Sequence, residues 1–166
     1  MPRRTTPPPD PVPRADPGSA SRYIPWMTPR QVELVQASFD QVVPIADSVA
    51  TLFYFRLFAL DPATRALFPA DMAAQRRILM LTLGTIVRSL HRPDAVVPTI
   101  QELGRRHATY GVRDGDYETV GVALLDAYEE ALGSLFTVET RAAWEAAYRL
   151  IATAMRGPGA SAGSAA

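Results

Sequence analysis

The chain contains no cysteine and no lysine, and only two histidines among 166 residues. Without cysteine there is no disulfide framework, thiolate nucleophile, zinc ribbon, iron–sulfur cluster or thioether-linked prosthetic group. Without lysine there is no Schiff-base chemistry and no phosphate-loop lysine. Net charge is absent too, because 17 arginines balance 17 Asp and Glu residues. The imbalance is only local, with four Arg against two Asp in residues 1–27 and 13 Arg against 15 acidic side chains in residues 28–156. Neither part has the concentrated positive face that counterion release at a phosphate backbone needs, which speaks against a nucleic-acid partner. No uninterrupted apolar run approaches the roughly 20 residues of a bilayer-spanning helix, so no membrane span is expected. What the chain does have is 48% hydrophobic residues. Its length suits one domain, of a size that buries roughly two thirds of its unfolded surface.

Eight of the 15 prolines fall in residues 1–27, a stretch with no apolar block to offset the entropy of folding. It reads as a disordered arm with local polyproline II character. Arg3-Arg4 is followed by Thr-Thr-Pro-Pro-Pro and not by the apolar stretch of about 7–15 residues that an export signal needs, so a cytoplasmic protein is expected. Met27 stands directly before the first helix signal and is a candidate start of translation. Residues 157–166 are Gly, Ala and Ser with one proline, and read as a flexible tail.

Between the arm and the tail the periodicity is helical almost throughout, and no alternation is long enough to argue for a sheet. Residues 28–156 are therefore expected to form an all-α domain of about seven helices. Thr28-Pro29-Arg30-Gln31 is a capping box with proline at the first helical position, and Val32, Val35, Phe39 and Val42 follow on one face. A second helix is expected over about Ala46 to Leu60. Asp61-Pro62 ends it and caps a short third one leading to Leu67-Phe68-Pro69. A fourth, from about Asp71 to Leu90, is apolar on more than one side and needs two partners to cover it. Asp94 is expected to open a fifth that ends near Gly111, Asp114 to Asp116 a sixth, and Thr137 a seventh.

Few side chains offer reactive chemistry. His91 lies beside Pro93 at a helix end, where the plain reading is a solvated imidazole favoured by the helix C-terminus. His107 shares its helix face with Ile100, Leu103 and Tyr110, so the ring points the way buried side chains point. One reading is a core histidine satisfied by a backbone carbonyl. Zinc is a poor rival, since no second histidine lies one turn away and one imidazole cannot fill a tetrahedral site. A second reading is a single neutral ligand to haem iron, whose porphyrin the hydrophobic effect holds. The Gly159-Ala160-Ser161-Ala162-Gly163 match to a nucleophile elbow falls in the tail and is taken as coincidence. The acidic residues are scattered, with no supporting constellation for acid/base catalysis.

Several motifs occur together in order. Leu103-Gly104-Arg105-Arg106-His107-Ala108-Thr109-Tyr110-Gly111-Val112 is followed by Asp114, Tyr117, Val120-Gly121 and Leu124-Leu125. Phe53-Tyr54, Leu57-Phe58, Leu67-Phe68-Pro69 and Gln75 to Met80 precede it, and Phe136-Thr137, Ala143-Trp144 and Tyr148 come after. Over about residues 28–156 this pattern resembles the bacterial single-domain globins, relatives of the flavohaemoglobin haem domain and of the Hell's Gate type globins. The resemblance implies a globin fold around a pocket for haem b (iron protoporphyrin IX). It implies that His107 is the proximal iron ligand, that Phe68 packs flat on the porphyrin, and that Tyr54, Gln75 and Leu79 line the distal side. Leu103, Val112 and Tyr117 would wall the proximal side. Tyrosine hydroxyl and glutamine amide are neutral donors that stabilise negative charge developing on bound dioxygen in a dry cavity. Arg76 and Arg105 or Arg106 are within reach of propionates, although solvated faces are the plainer reading. Trp144, Tyr148, Ile151 and Met155 read as a core stripe and not as cofactor contacts.

One departure from the family bears on chemistry. In flavohaemoglobin-like domains a glutamate late in the last helix joins a tyrosine, here Tyr117, in supporting the proximal histidine. The corresponding place falls near Gly157-Pro158-Gly159, where the helix signal has ended, so that carboxylate is missing and peroxidase-like cleavage of an O–O bond is not expected. No flavin or nicotinamide domain is visible in the 166 residues, so turnover would borrow electrons from an external reductase. Three functions follow: reversible dioxygen binding for storage or scavenging, nitric oxide dioxygenation with that reductase, or haem-based gas sensing. Dioxygen and other diatomic gases are the expected ligands, and the sequence leaves the oligomeric state open.

Overall fold

The structure, a computed structural model, describes residues 27–157. The readings of a disordered arm, an export signal, a tail and a chance elbow motif lie outside the described residues. Among the described residues there are six α-helices: α1 (Pro29–Val42), α2 (Ala46–Leu60), α3 (Ala73–Ser89), α4 (Pro93–Thr109), α5 (Asp114–Leu132) and α6 (Val138–Arg156). Their ends follow from local chemistry. Thr28 Oγ1 accepts from the Gln31 N–H at 3.1 Å while Gln31 Oε1 accepts from the Thr28 N–H at 2.8 Å, which closes the capping box. Thr137 caps α6 in the same manner through the Thr140 N–H.

Two details differ from the sequence reading. The short third helix is a 3-10 segment, Pro62–Leu67, capped by Asp61, whose Oδ1 accepts from the Ala63 N–H at 3.0 Å. Six residues between Pro62 and Pro69 leave no room for a settled α-helical ladder, and i to i+3 bonds close the turn instead. The start of α4 lies one residue earlier than expected. Pro93 occupies the opening of α4, where its missing N–H costs nothing, and Asp94 sits inside the first turn, where its charge favours the helix dipole.

The core lies where α2 packs on α5 and where α6 packs on both α1 and α4. Its centre is Trp144, fully buried and edge-on to Tyr128 with centroids 4.7 Å apart. Burial pushes the Tyr128 hydroxyl far above its ordinary range. The indole N–H of Trp144 donates to Ser38 Oγ at 2.8 Å, and the Ser38 hydroxyl in turn donates to the Leu34 carbonyl at 2.7 Å. A Ser38→Ala substitution strands the buried indole donor and is expected to cost about 1–3 kcal/mol, read from the urea midpoint. An unchanged midpoint would show that the indole finds another acceptor.

Helices α1 and α2 form one continuous helical stretch, Pro29–Leu60, whose most apolar 18 residues reach a mean hydropathy of 1.5. Length and hydropathy alone would admit a membrane crossing. The 3-10 turn Val43–Ile45 breaks the rod, with Ile45 at φ −118° and ψ 22°, and Val35, Phe39, Val49 and Phe53 face the protein's own core.

Candidate ligand cavity

The helix arrangement leaves a cavity of about 220 Å³, lined from α2, α3, α4, α5, α6 and the segment between α2 and α3. Tyr54, Phe68, Gln75, Leu79, Leu103, His107, Val112 and Tyr117 all line it, although they are scattered over 64 positions of sequence from first to last. The remaining wall is predominantly apolar.

His107 sits in the last turn of α4. Its Nδ1 lies 2.9 Å from the Leu103 carbonyl oxygen, one helical turn back. A carbonyl can only accept, so Nδ1 carries the proton and Nε2 keeps its lone pair. The chain then reverses at Gly111, whose φ of +84° an L-residue would rarely adopt. That reversal carries Val112 back to the cavity wall, with its N–H donating to the His107 carbonyl at 3.3 Å.

Tyr54, also in the cavity wall, is buried on α2. Its ring meets Phe53 edge-on at 4.8 Å and Phe68 edge-on at 5.3 Å. Gln75, in the first turn of α3, donates from Nε2 to the Tyr54 hydroxyl at 3.2 Å. Burial raises the Tyr54 pKa, with the Gln75 contact acting in the opposite direction, so the group stays a neutral O–H. Because the hydroxyl oxygen accepts from Gln75, its own proton remains available to a group in the cavity. Phe68 is held at the corner by Arg65, whose Nη1 donates to the Phe68 and Pro69 carbonyls, each at 3.0 Å.

Behind Tyr117 lies a charged cluster that the sequence did not show. Arg156 stands over the Tyr117 ring, 5.1 Å from its centroid, and bonds Glu118 at 2.9 Å. The Tyr148 hydroxyl donates to the Tyr117 carbonyl. The last helix ends on the Arg156 guanidinium, with Gly157 as its C-cap. Asp116 is buried in the same wall. Burial acts to raise its pKa, but hydrogen bonds from the Arg113 side chain and N–H outweigh this and hold it below the ordinary carboxylate range.

The stripe of the last helix is core as expected, with Trp144 and Ile151 in the buried cluster and Tyr148 and Met155 packed against it, but Tyr148, Ile151 and Met155 also line the cavity, because periodicity identifies an inward face and not what lies opposite it. Phe53, Leu57, Val120 and Leu124, which belong to the motifs of the resemblance but were not expected as site residues, also line it, as do Leu83 and Ile86, which carried no signal beyond hydrophobicity. Tyr110, counted with the inward face of His107, is 66% exposed, since α4 ends at Thr109 and the next residue leaves the helical register. Arg76 pairs with Asp47 at 2.8 Å, and Arg105 and Arg106 both pair with Glu102, so these guanidiniums have partners on the surface.

The donor set points to one class of occupant. Among the described residues no group of three or more His, Cys, Asp or Glu side chains could hold a metal ion. A bare cation therefore finds no ligand set, whereas a metal that brings an equatorial ring of its own needs one imidazole and an apolar slot. The cavity supplies both.

Comparison with known proteins agrees with that geometry. The globin family model matches residues 51–155. An anaerobic nitrite reductase of Oryza sativa subsp. indica is 29% identical over 132 residues, which cover 76% of this chain and 91% of the relative. A flavohemoprotein of Bordetella parapertussis is 27% identical over 134 residues, 79% of this chain but 33% of the relative, so the chain spans about a third of that protein's length. A solved structure described as an engineered carbene transferase and putative nitric oxide dioxygenase from Rhodothermus marinus superposes with a TM-score of 0.68 at 29% identity, over 76% of this chain and 88% of that one.

Proposed function

We propose, from the premise that this chain belongs to the globin family and binds haem b, that His107 is the iron's protein ligand and that the cavity reversibly binds dioxygen beneath Tyr54 and Gln75. The functional unit is residues 28–156, acting in the cytoplasm. Haem supplies the iron at which a diatomic gas is held. The chain supplies the rest. His107 presents Nε2 because Leu103 fixes the proton on Nδ1. A carbonyl is a weaker hydrogen-bond partner than a carboxylate, so the ring is only a moderate donor to iron, which suits holding dioxygen over breaking it. Leu103, Val112 and Tyr117 wall the side of His107, while Phe68 and Leu79 narrow the opposite side and exclude water.

The observation that carries this reading is the Gln75–Tyr54 pair, which leaves one hydroxyl proton free in a predominantly apolar cavity. A gas that draws electron density, as dioxygen does, is stabilised by that proton, whereas carbon monoxide gains less. A hydrogen bond to a charged group contributes about 1.5–3 kcal/mol, which corresponds to roughly a 10- to 100-fold change in dissociation rate. In Tyr54→Phe the dioxygen dissociation rate is expected to rise by that factor while the carbon monoxide rate moves little. Equal rates in wild type and variant would overturn the distal-donor reading.

A second activity is favoured by the resemblance to a putative nitric oxide dioxygenase. With haem bound, the cavity beside Tyr54 and Gln75 would hold dioxygen where nitric oxide could meet it, with nitrate as the product, and an external reductase would supply the one electron that each turnover consumes. Nitrate yield well beyond one equivalent per protein in the presence of an electron donor supports this activity. A yield that stops at one equivalent rejects it.

A further inference from the structure

Helix α3 separates two cavities. Gln75, Leu79 and Leu83 face the ligand cavity, and on the other flank Arg76, Arg77 and Arg88 line a groove of about 510 Å³ shared with α1 and α2. Between them lie two exposed apolar side chains, Ile78 at 56% and Leu81 at 65%. Ile78 itself lines the ligand cavity and Leu81 the groove, so the apolar centre and the basic rim are one continuous surface. Three guanidiniums face a single carboxylate there, that of Asp47, which pairs with Arg76. Most other arginines of the folded body are paired with carboxylates, whereas among the described residues Arg77 and Arg88 are not.

We infer that this face of α3 is the docking surface for an acidic one-electron carrier protein, a reading that rests on haem occupying the adjacent cavity. An apolar centre with a charged rim is the usual anatomy of a transient interface. Unpaired positive charge at the rim selects an acidic partner and speeds its arrival. The route is short, because one helix, roughly 10 Å across, lies between the docked surface and the cavity. The electron count closes. Each nitric oxide converted to nitrate leaves the iron oxidised by one electron, the carrier's reduced flavin gives up one electron, and no bond on this protein forms or breaks. A second copy of the chain would set arginine against arginine across the contact.

The test follows reduction of the ferric holoprotein under carbon monoxide by a reduced flavodoxin, an acidic FMN protein, in a stopped-flow instrument at low and high salt. Arg77→Glu and Arg88→Glu are each expected to lower the second-order rate about ten-fold or more at low salt, with the gap closing as salt rises. Arg149→Glu on α6 makes the same charge change elsewhere and is expected to stay near wild type. Binding of oxidised flavodoxin to immobilised holoprotein should weaken in the same two variants while their Soret bands stay unchanged. Equal slowing in all three variants would mean that net charge and not this face matters. Loss of binding to phosphatidylglycerol vesicles in Arg77→Glu, with reduction intact, would assign the face to a membrane. Either result overturns the inference, whereas a wild type without a Soret band would instead overturn the haem reading beneath it.

Discussion

A His107→Gly variant is expected to lose the optical signature of an imidazole-ligated haem and to regain it when free imidazole is added. The expectation follows from the geometry around one ring. Removing the side chain opens a space of imidazole size beside the cavity and leaves the Leu103 carbonyl in place to accept an N–H from the incoming ring. The backbone change matters little, because glycine in a helix costs about 1 kcal/mol relative to alanine. Loss of the cofactor weighs more, since a ligand that binds only the folded state stabilises it in proportion to its affinity. His107→Gly should therefore melt well below wild type in the presence of hemin and recover much of the difference with imidazole. His107→Ala separates the two effects, having the same missing ligand with a better helix former. A Soret band that stays unaltered in both variants would sink the assignment of His107. His91, exposed beside Pro93 and away from the cavity lining, is the matched control: His91→Ala should leave the spectrum untouched.

Much of this arrangement was legible in the sequence because helix boundaries are local events. Thr28, Asp61 and Thr137 each cap the segment that follows them, and each signal needs no more than four residues to recognise. The eight expected site residues share one cavity because the resemblance places residues from distant segments together, which periodicity alone cannot do. Where only periodicity spoke, its limits show. Ile151 and Met155 belong to the same inward stripe as Trp144, but the cavity opens along that stripe, and nothing in the spacing says where packing stops. Tyr110 failed for a different reason, since a face continues only as long as its helix. The guanidinium of Arg156 over Tyr117 joins positions 39 residues apart, and no local rule connects them.

Gly104 shows most sharply what only the folded chain reveals, and substituting it should be the most damaging single-methyl change near the cavity. By helix propensity alone Gly104→Ala in α4 would stabilise the protein by about 1 kcal/mol. The packing says otherwise. A Cβ at Gly104 would fall on the Met155 carbonyl oxygen and lie 2.6 Å from both the carbonyl carbon and the Cα of Met155. All three atoms are backbone, so no rotamer change relieves the clash and α4 must move away from α6. Forcing extra volume into a packed interface costs about 1–3 kcal/mol and occasionally more, which exceeds the propensity gain and sets the sign. The displacement also reaches the cavity from two sides, because His107 lies one turn further along α4 and Met155 is part of the wall. Gly104→Ala is therefore expected to lower the urea midpoint of the holoprotein and to accelerate haem transfer to apomyoglobin, and Gly104→Val should do both more strongly. If Gly104→Ala instead raised the midpoint and left haem retention as it was, the close approach of α4 to α6 would be wrong, and with it the account of how the fold aims His107 into the cavity.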